Sequence, residues 1–271
     1  MTGKNVACTV FQGRAGDHND LAIPAAKAIG DALACCTGQP PTLIGTPEPA
    51  LNLGWREELD AAMPDLRAAQ RYFDAVFASG AFSVAATSRC AVSLATLPAL
   101  VKHHAEVCIV WLDAHADLNT PESSVSGFLG GLALSGPLGF WHSELGSGIN
   151  VEQVVLAGQR DLDPFESALI KQHNIPCLLP GKGLPERLRQ AVAGRAVYVH
   201  LDCDVLAPGT VPTDYQSAGG LTLAELKACC EALACSPLVG IEIAEFQHAW
   251  QPGGPPVSPD PLIAALMPLL K

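Results

Sequence analysis

No run of apolar residues approaches the roughly 20 needed to cross a bilayer, although hydrophobic residues make up 49% of the chain. A membrane-spanning helix is therefore not expected, whereas a large buried core is. The opening MTGKNVACTVFQG lacks the basic start, long apolar stretch and small-residue cleavage site of a secretory leader, which predicts a cytoplasmic protein. Basic residues are scarce: 16 Lys and Arg stand against 27 Asp and Glu, a net charge of -11. That balance argues against a phosphate-backbone partner, since nucleic-acid binders carry a basic footprint. It suits cations, metals and cationic small molecules, and taken alone it equally suits mere solubility. No pair of CxxC motifs with zinc-site spacing occurs among the 10 cysteines. Cys35-Cys36 and Cys229-Cys230 are adjacent pairs and the rest are scattered through apolar segments, as expected of reduced, buried small hydrophobes rather than disulfides. With no internal repeat and no dividing linker, one domain over residues 1–271 is predicted.

What is present is an alternation of strand-like and helix-like segments. Short β-type runs fall at 6–11, 82–86, 107–112, 153–157, 175–179, 196–201 and 238–243. Helical spacing falls at 20–33, 57–77, 92–102, 164–172, 223–234 and 261–270. Strands apolar on both faces, alternating with helices, predict an α/β fold with a parallel sheet covered on both sides. The Pro/Gly-rich stretches 39–49 and 251–259 read as surface loops.

Ligands of open α/β sheets collect beyond the carboxyl ends of the strands. The run VWLDAHADLNTPESS places Asp113, His115 and Asp117 there. A second strand, VYVHLDCDVLAPG, ends with Asp202 and Asp204, and a third, VGIEIAEFQ, with Glu242 and Glu245. Crowded carboxylates repel and resist burial unless a cation joins them, and neither DAHAD nor DCD contains Lys or Arg. Residues two apart in a strand share a face, so Asp113, His115 and Asp117 can converge, as can Asp202 and Asp204. Oxygen donors with one imidazole suit Mn²⁺ or another first-row divalent ion, and five such ligands are enough for two ions. DAHAD by itself is compatible with a solvated loop; its pairing with D-x-D on a second strand favours the metal site.

These motifs resemble the ureohydrolase family of arginases, agmatinases and related amidinohydrolases. WLDAHADLNTP, the SG of VSGFLGG, GQRDLDPFE, HLDCDVLAPG and IEIAEFQ occur in family order over nearly the whole chain. The resemblance implies a three-layer α/β/α domain with a mainly parallel sheet, and hydrolysis of guanidino groups by a water activated between two Mn²⁺ ions. It carries metal ligation to Asp113, His115, Asp117, Asp202 and Asp204, with Asp113 and Asp202 bridging and Asp117 also relaying a proton. Glu245 falls on the guanidinium-binding carboxylate. Asn119 and Ser126 fall on positions that hold a substrate α-carboxylate, and Asp163 and Glu166 on those that hold its α-amino group. The implied substrate is a guanidino α-amino acid. Asp163 can also serve simply as a cap for the helix that starts at Pro164. The family often forms trimers or hexamers, so a homo-oligomer is implied.

The chain departs from the family pattern at four places. TSRC, residues 87–90, stands where Gly-Gly-Asp-His is usual. This puts Cys90 on a metal-ligand position, where thiolate is softer than imidazole and a poorer match for Mn²⁺. A helix N-terminus there would favour the thiolate; alternatively, Cys90 is a small helix-start residue that binds nothing. Gly130 takes the place of a histidine that shuttles protons, Phe128 that of an asparagine, and Ala207 that of a buttressing aspartate. TSRCAVSLATLPAL together with Gly130 resembles a small branch of the family. That branch cleaves Nω-hydroxy-L-arginine to L-ornithine and hydroxyurea in the D-cycloserine route to an antibiotic. An N-hydroxyguanidine is far less basic than arginine's guanidinium, which is always protonated, and can be neutral near pH 7, so it needs less of the site. Rival readings are an agmatinase- or arginase-type enzyme that releases urea, and a non-catalytic ligand-binding relative.

Overall fold

The computed structural model describes residues 5–271. Residues 1–4, the head of the segment read for a leader, lie outside the described residues. In chain order the elements are β1 (Val6–Phe11), α1 (Ala22–Thr37), β2 (Thr42–Ile44), α2 (Trp55–Ala78), β3 (Phe82–Ala86), α3 (Ser93–His103), β4 (Cys108–Leu112) and β5 (Val154–Ala157). There follow α4 (Pro164–His173), β6 (Cys177–Leu178), α5 (Leu184–Val192), β7 (Val197–Asp202), α6 (Leu223–Leu233), β8 (Leu238–Ala244) and α7 (Asp260–Leu266). The strands form one eight-stranded sheet in the order β2-β1-β3-β8-β7-β4-β5-β6, and every named pair is parallel.

Side-chain alternation explains why the sheet is covered twice. Every residue of β4 is buried. Val110 and Leu112 join the core under α1, α5, α6 and α7, where Ile29, Leu188, Leu226 and Leu262 pack. Ile109 and Trp111 point the other way, into the core under α2 and α3 with Leu66, Phe73, Phe77 and Leu97. The result is a three-layer α/β/α arrangement. Among the described residues no helix is long and apolar enough to cross a membrane.

Two elements escape the sequence pattern. Thr42–Ile44 lies inside the 39–49 stretch read as loop and becomes a strand by pairing with β1 through Thr9, Val10 and Phe11. In α5 the buried residues are Leu184, Leu188 and Val192, one apolar position per turn among charged neighbours. The last helix is also shorter than its pattern: α7 stops at Leu266 and a 3-10 turn, Met267–Leu269, follows, where Pro268 has no N–H to continue an α-helical ladder.

Candidate metal centre

The sheet order sets four tips side by side, because β3, β8, β7 and β4 are consecutive neighbours. Cys90 opens the 3-10 turn Cys90–Val92 after β3, Glu245 follows β8, Asp202 ends β7, and Asp204 lies in the next 3-10 turn, Cys203–Val205. DAHAD follows β4. Strand alternation is not what gathers it, because β4 ends at Leu112 and residues 113–117 lie beyond the sheet. The chain turns there instead: Asp117 has φ 52° and Glu245 φ 63°, left-handed conformations that a non-glycine residue holds only where its surroundings enforce them.

Hydrogen bonds fix the cluster. Asp113 Oδ2 accepts from Trp111 Nε1 at 2.8 Å and Oδ1 from the His115 N–H at 2.6 Å. His115 Nδ1 lies 3.0 Å from Asp204 Oδ2 and 3.4 Å from Asp113 Oδ1. Asp202 Oδ1 accepts from the Asp204 N–H at 2.7 Å, and the Cys90 thiol donates to Asp202 Oδ2 at 3.1 Å. Beneath Cys90, His200 Nε2 is 3.2 Å from Sγ while Nδ1 is 2.8 Å from Glu242 Oε1. Trp111 stacks on His200 with ring centroids 3.5 Å apart. The loop after β7, which carries Ala207, is held by Arg160. Its guanidinium donates to the carbonyls of Gly158, Asp204, Val205, Leu206, Ser217 and Ala218.

Burial, and then the charge of neighbouring carboxylates, push Asp117 and Asp202 well above the usual carboxylate range, and Asp204 in the same direction. Burial opposes ionisation of Asp113 too, but hydrogen bonds and charge from His115 outweigh it and hold Asp113 low. His115 is raised in turn: burial works against its charge, and its bonds to Asp113 and Asp204 prevail. An imidazolium thus does part of a cation's work among these acids. Cys90 is pushed well above an ordinary thiol by burial, Asp202 and Glu245. The expected N-terminal preference for thiolate is therefore overridden where no cation is present.

The residues present fit a divalent metal. Asp117 Oδ2 is buried with no hydrogen-bond partner. Donor atoms of Cys90, Asp113 and His200, of Cys90, Asp202 and Glu245, and of Asp113, His115 and Asp204 lie within 4.8 Å of one another in each group. Cys90 and Asp113 each belong to two groups, whereas Asp117 belongs to none of them and borders the same cavity. Carboxylate oxygens with imidazole are hard-to-borderline donors suited to Mn²⁺.

That cavity measures about 250 Å³. Asn119, Ser126, Asp163 and Glu166 line it as well, with Cys90, His115, Asp117, Asp202, Asp204 and Glu245, whereas Asp113 lies buried behind His115 and Asp204 and does not border it. Asn119 Nδ2 donates to Asp163 Oδ2 at 2.7 Å. Glu166 accepts from the Leu118 and Asp163 N–H groups, each at 3.0 Å, and forms with Asp163 the capping box of α4. Ser126 is exposed at the rim. The Phe128 ring covers the site that a side chain at 130 would need, since a Cβ on Gly130 would lie 2.5 Å from Phe128 Cε1.

Sequence reasoning missed three groups. His200 was within reach, because the alternation that relates Asp202 to its neighbours also relates it to His200 two residues earlier. Asp214 and Arg89 were not, because no local pattern joins them. Arg89 is fully buried and bonds Asp17 through Nε at 3.0 Å. Its Nη1 reaches both Asp214 and Glu245 at 2.7 Å.

Comparisons with known proteins agree with this architecture. The profile of the Arginase family matches residues 17–254. The chain is 35% identical to an N(omega)-hydroxy-L-arginine amidinohydrolase of Streptomyces lavendulae over 88% of this chain and 87% of that one. It is 32% identical to an arginase of Glaciozyma antarctica over 57% of this chain and 51% of the other. Among solved structures, arginase from Bacillus subtilis superposes with a TM-score of 0.84 at 22% identity, covering 98% of both chains, and so shares the fold. With its parallel sheet, its tip carboxylates and these matches, the chain belongs to the arginase family, the ureohydrolase type of amidinohydrolase.

Proposed function

We propose that the chain hydrolyses Nω-hydroxy-L-arginine to L-ornithine and hydroxyurea with two Mn²⁺ ions. Asp113, His115, Asp117, Asp202 and Asp204 would hold them, with Cys90 as the sulfur donor. Bound there, the ions would supply the Lewis acidity that makes a water nucleophilic near neutral pH. The water oxygen joins the guanidino carbon, the bond from that carbon to the ornithine nitrogen breaks, and the departing amine gains a proton. Asp117, buried beside the cavity with a free oxygen, relays that proton. Glu245 orients the guanidino end, while Asn119, Ser126 and Asp163 receive the amino-acid end, with Glu166 tying Asp163 to Leu118.

The observation that carries the choice of substrate is the absence of a side chain at Gly130, against which the Phe128 ring packs. No imidazole stands there to carry a proton to the departing ornithine amine, and a hydroxylated guanidine, far less basic than arginine's and able to bind without a positive charge, is the substrate that departure suits. The similarity to a hydroxyarginine amidinohydrolase supports the same choice. Reconstitution with Mn²⁺ followed by parallel hydroxyurea and urea assays tests it. Hydroxyarginine is expected to exceed L-arginine and agmatine in kcat/KM by roughly 100-fold or more. Faster urea release from arginine or agmatine would identify a urea-forming enzyme, and metal binding without turnover a non-catalytic relative.

A further inference from the structure

The carboxylate placed to grip a guanidino group already grips one. Glu245 Oε2 accepts from Arg89 Nη1 at 2.7 Å, and its Oε1 accepts from the Cys90 N–H at 2.9 Å. The same Nη1 reaches Asp214 Oδ2 at 2.7 Å, and Nε reaches Asp17 Oδ1 at 3.0 Å. Arg89 and Asp17 are fully buried, while Glu245 and Asp214 border the cavity. Nη2 of Arg89 has no partner. Charge from three acids, more than saturated hydrogen bonding, keeps the guanidinium in place. The sequence signals the same inversion, since Arg89 stands in TSRC where the resembling motif has aspartate.

We propose that Arg89 is a specificity-determining positioning residue: its buried guanidinium fills the cationic place behind Glu245 and Asp214, so that the cavity takes an uncharged N-hydroxyguanidino group in preference to a guanidinium. Two like charges that share one buried carboxylate repel strongly where solvent is excluded. A neutral guanidine still donates N–H hydrogen bonds to the free lone pairs of Glu245, without that repulsion. Arg89 never touches substrate; it acts through the two carboxylates it holds. The lever is a fixed charge, because arginine stays protonated at every working pH.

Arg89 has this role only if the cavity hydrolyses guanidino amino acids, as proposed above. Its test uses the Mn²⁺-loaded enzyme at one fixed pH. The readout is the Ki of L-arginine, as a competitive inhibitor, divided by the KM of hydroxyarginine. Arg89→Met is expected to lower that ratio by about tenfold or more, because three acids lose their internal cation and recruit arginine's. Arg89→Lys retains the charge and is expected to stay near the parent ratio even if kcat falls. Asp17→Asn leaves Arg89 leaning harder on Glu245 and is expected to raise the ratio, which provides an arm that does not depend on Arg89→Met folding. A ratio unchanged in Arg89→Met, or one that moves the same way in Arg89→Met and Asp17→Asn, overturns the inference. Failure of the parent protein to cleave hydroxyarginine would instead refute the function it builds on.

Discussion

Two groups of acids meet at one cavity, lined by Asp117, Asp202 and Asp204 from the first and by Asp214 and Glu245 from the second, and they solve the same electrostatic problem differently. Of Asp113, Asp117, Asp202 and Asp204, two pair directly with His115, the charge of Arg160 also reaches Asp113, Asp202 and Asp204, and three of the four carboxyls are still pushed toward the protonated form. Asp17, Asp214 and Glu245 instead surround Arg89, a permanent cation that belongs to the chain. The first cluster is completed from outside and the second from within. Buried acids without a counterion are a demand for one, so the contrast separates the part of the cavity that recruits an ion from the part that only shapes recognition.

Neutralising one acid in each group, or its partner, should split their behaviour. The largest effect is expected from Asp202→Asn: metal-dependent turnover is lost, while the Tm of the metal-free protein rises because repulsion is relieved. Scanning calorimetry with and without Mn²⁺ measures both, and a metal-free Tm below the parent's would contradict the account. Arg89→Met should do the opposite to the fold. It strands the buried Asp17 and Glu245 and the half-buried Asp214, which typically costs about 3–5 kcal/mol, and urea unfolding should show that loss with or without metal.

Proton linkage distinguishes the clusters more gently. Asp117, Asp202, Asp204 and His115 all have raised values in the fold. Their contribution to metal-free stability is complete at low pH and is lost as pH rises through those values, and Asp113, held low, is the single opposing member. The gain in Tm on adding Mn²⁺ should therefore grow from about pH 5 to about pH 8. A gain that shrinks over that window would reverse the sign. The smallest effect is steric: Gly130→His, which drives a new side chain into the Phe128 ring, should cost about 1–3 kcal/mol. Adding Phe128→Asn should recover most of it, as chemical denaturation of the single and double variants would report.

Much of this contrast was written in short-range pattern. The apolar runs before DAHAD and DCD marked strands, and the polar letters after them marked tips, so the acids and their common edge could be read directly. The reason given for DAHAD's convergence could not be: strand alternation ends at Leu112, and a left-handed turn at Asp117 does the work. Arg89 was visible as a letter but not as a partner. Its contacts lie 72, 125 and 156 residues away, in segments without a shared motif. Asp214 sits in an irregular stretch, where no periodicity tells inward from outward. Likewise β2 exists because β1 offers it an edge, a fact about the sheet and not about Thr42, Leu43 and Ile44.

Arg160 gives the first half of this contrast a mechanical side. Its single side chain gathers six carbonyl oxygens, three of them from Asp204, Val205 and Leu206. The backbone that bears Asp204 therefore has no slack through which mutual repulsion could spread the donors apart. Entry of an ion should meet a rigid mould, and the rate of uptake should follow how fast the ion sheds its water, with no slow rearrangement of protein in between.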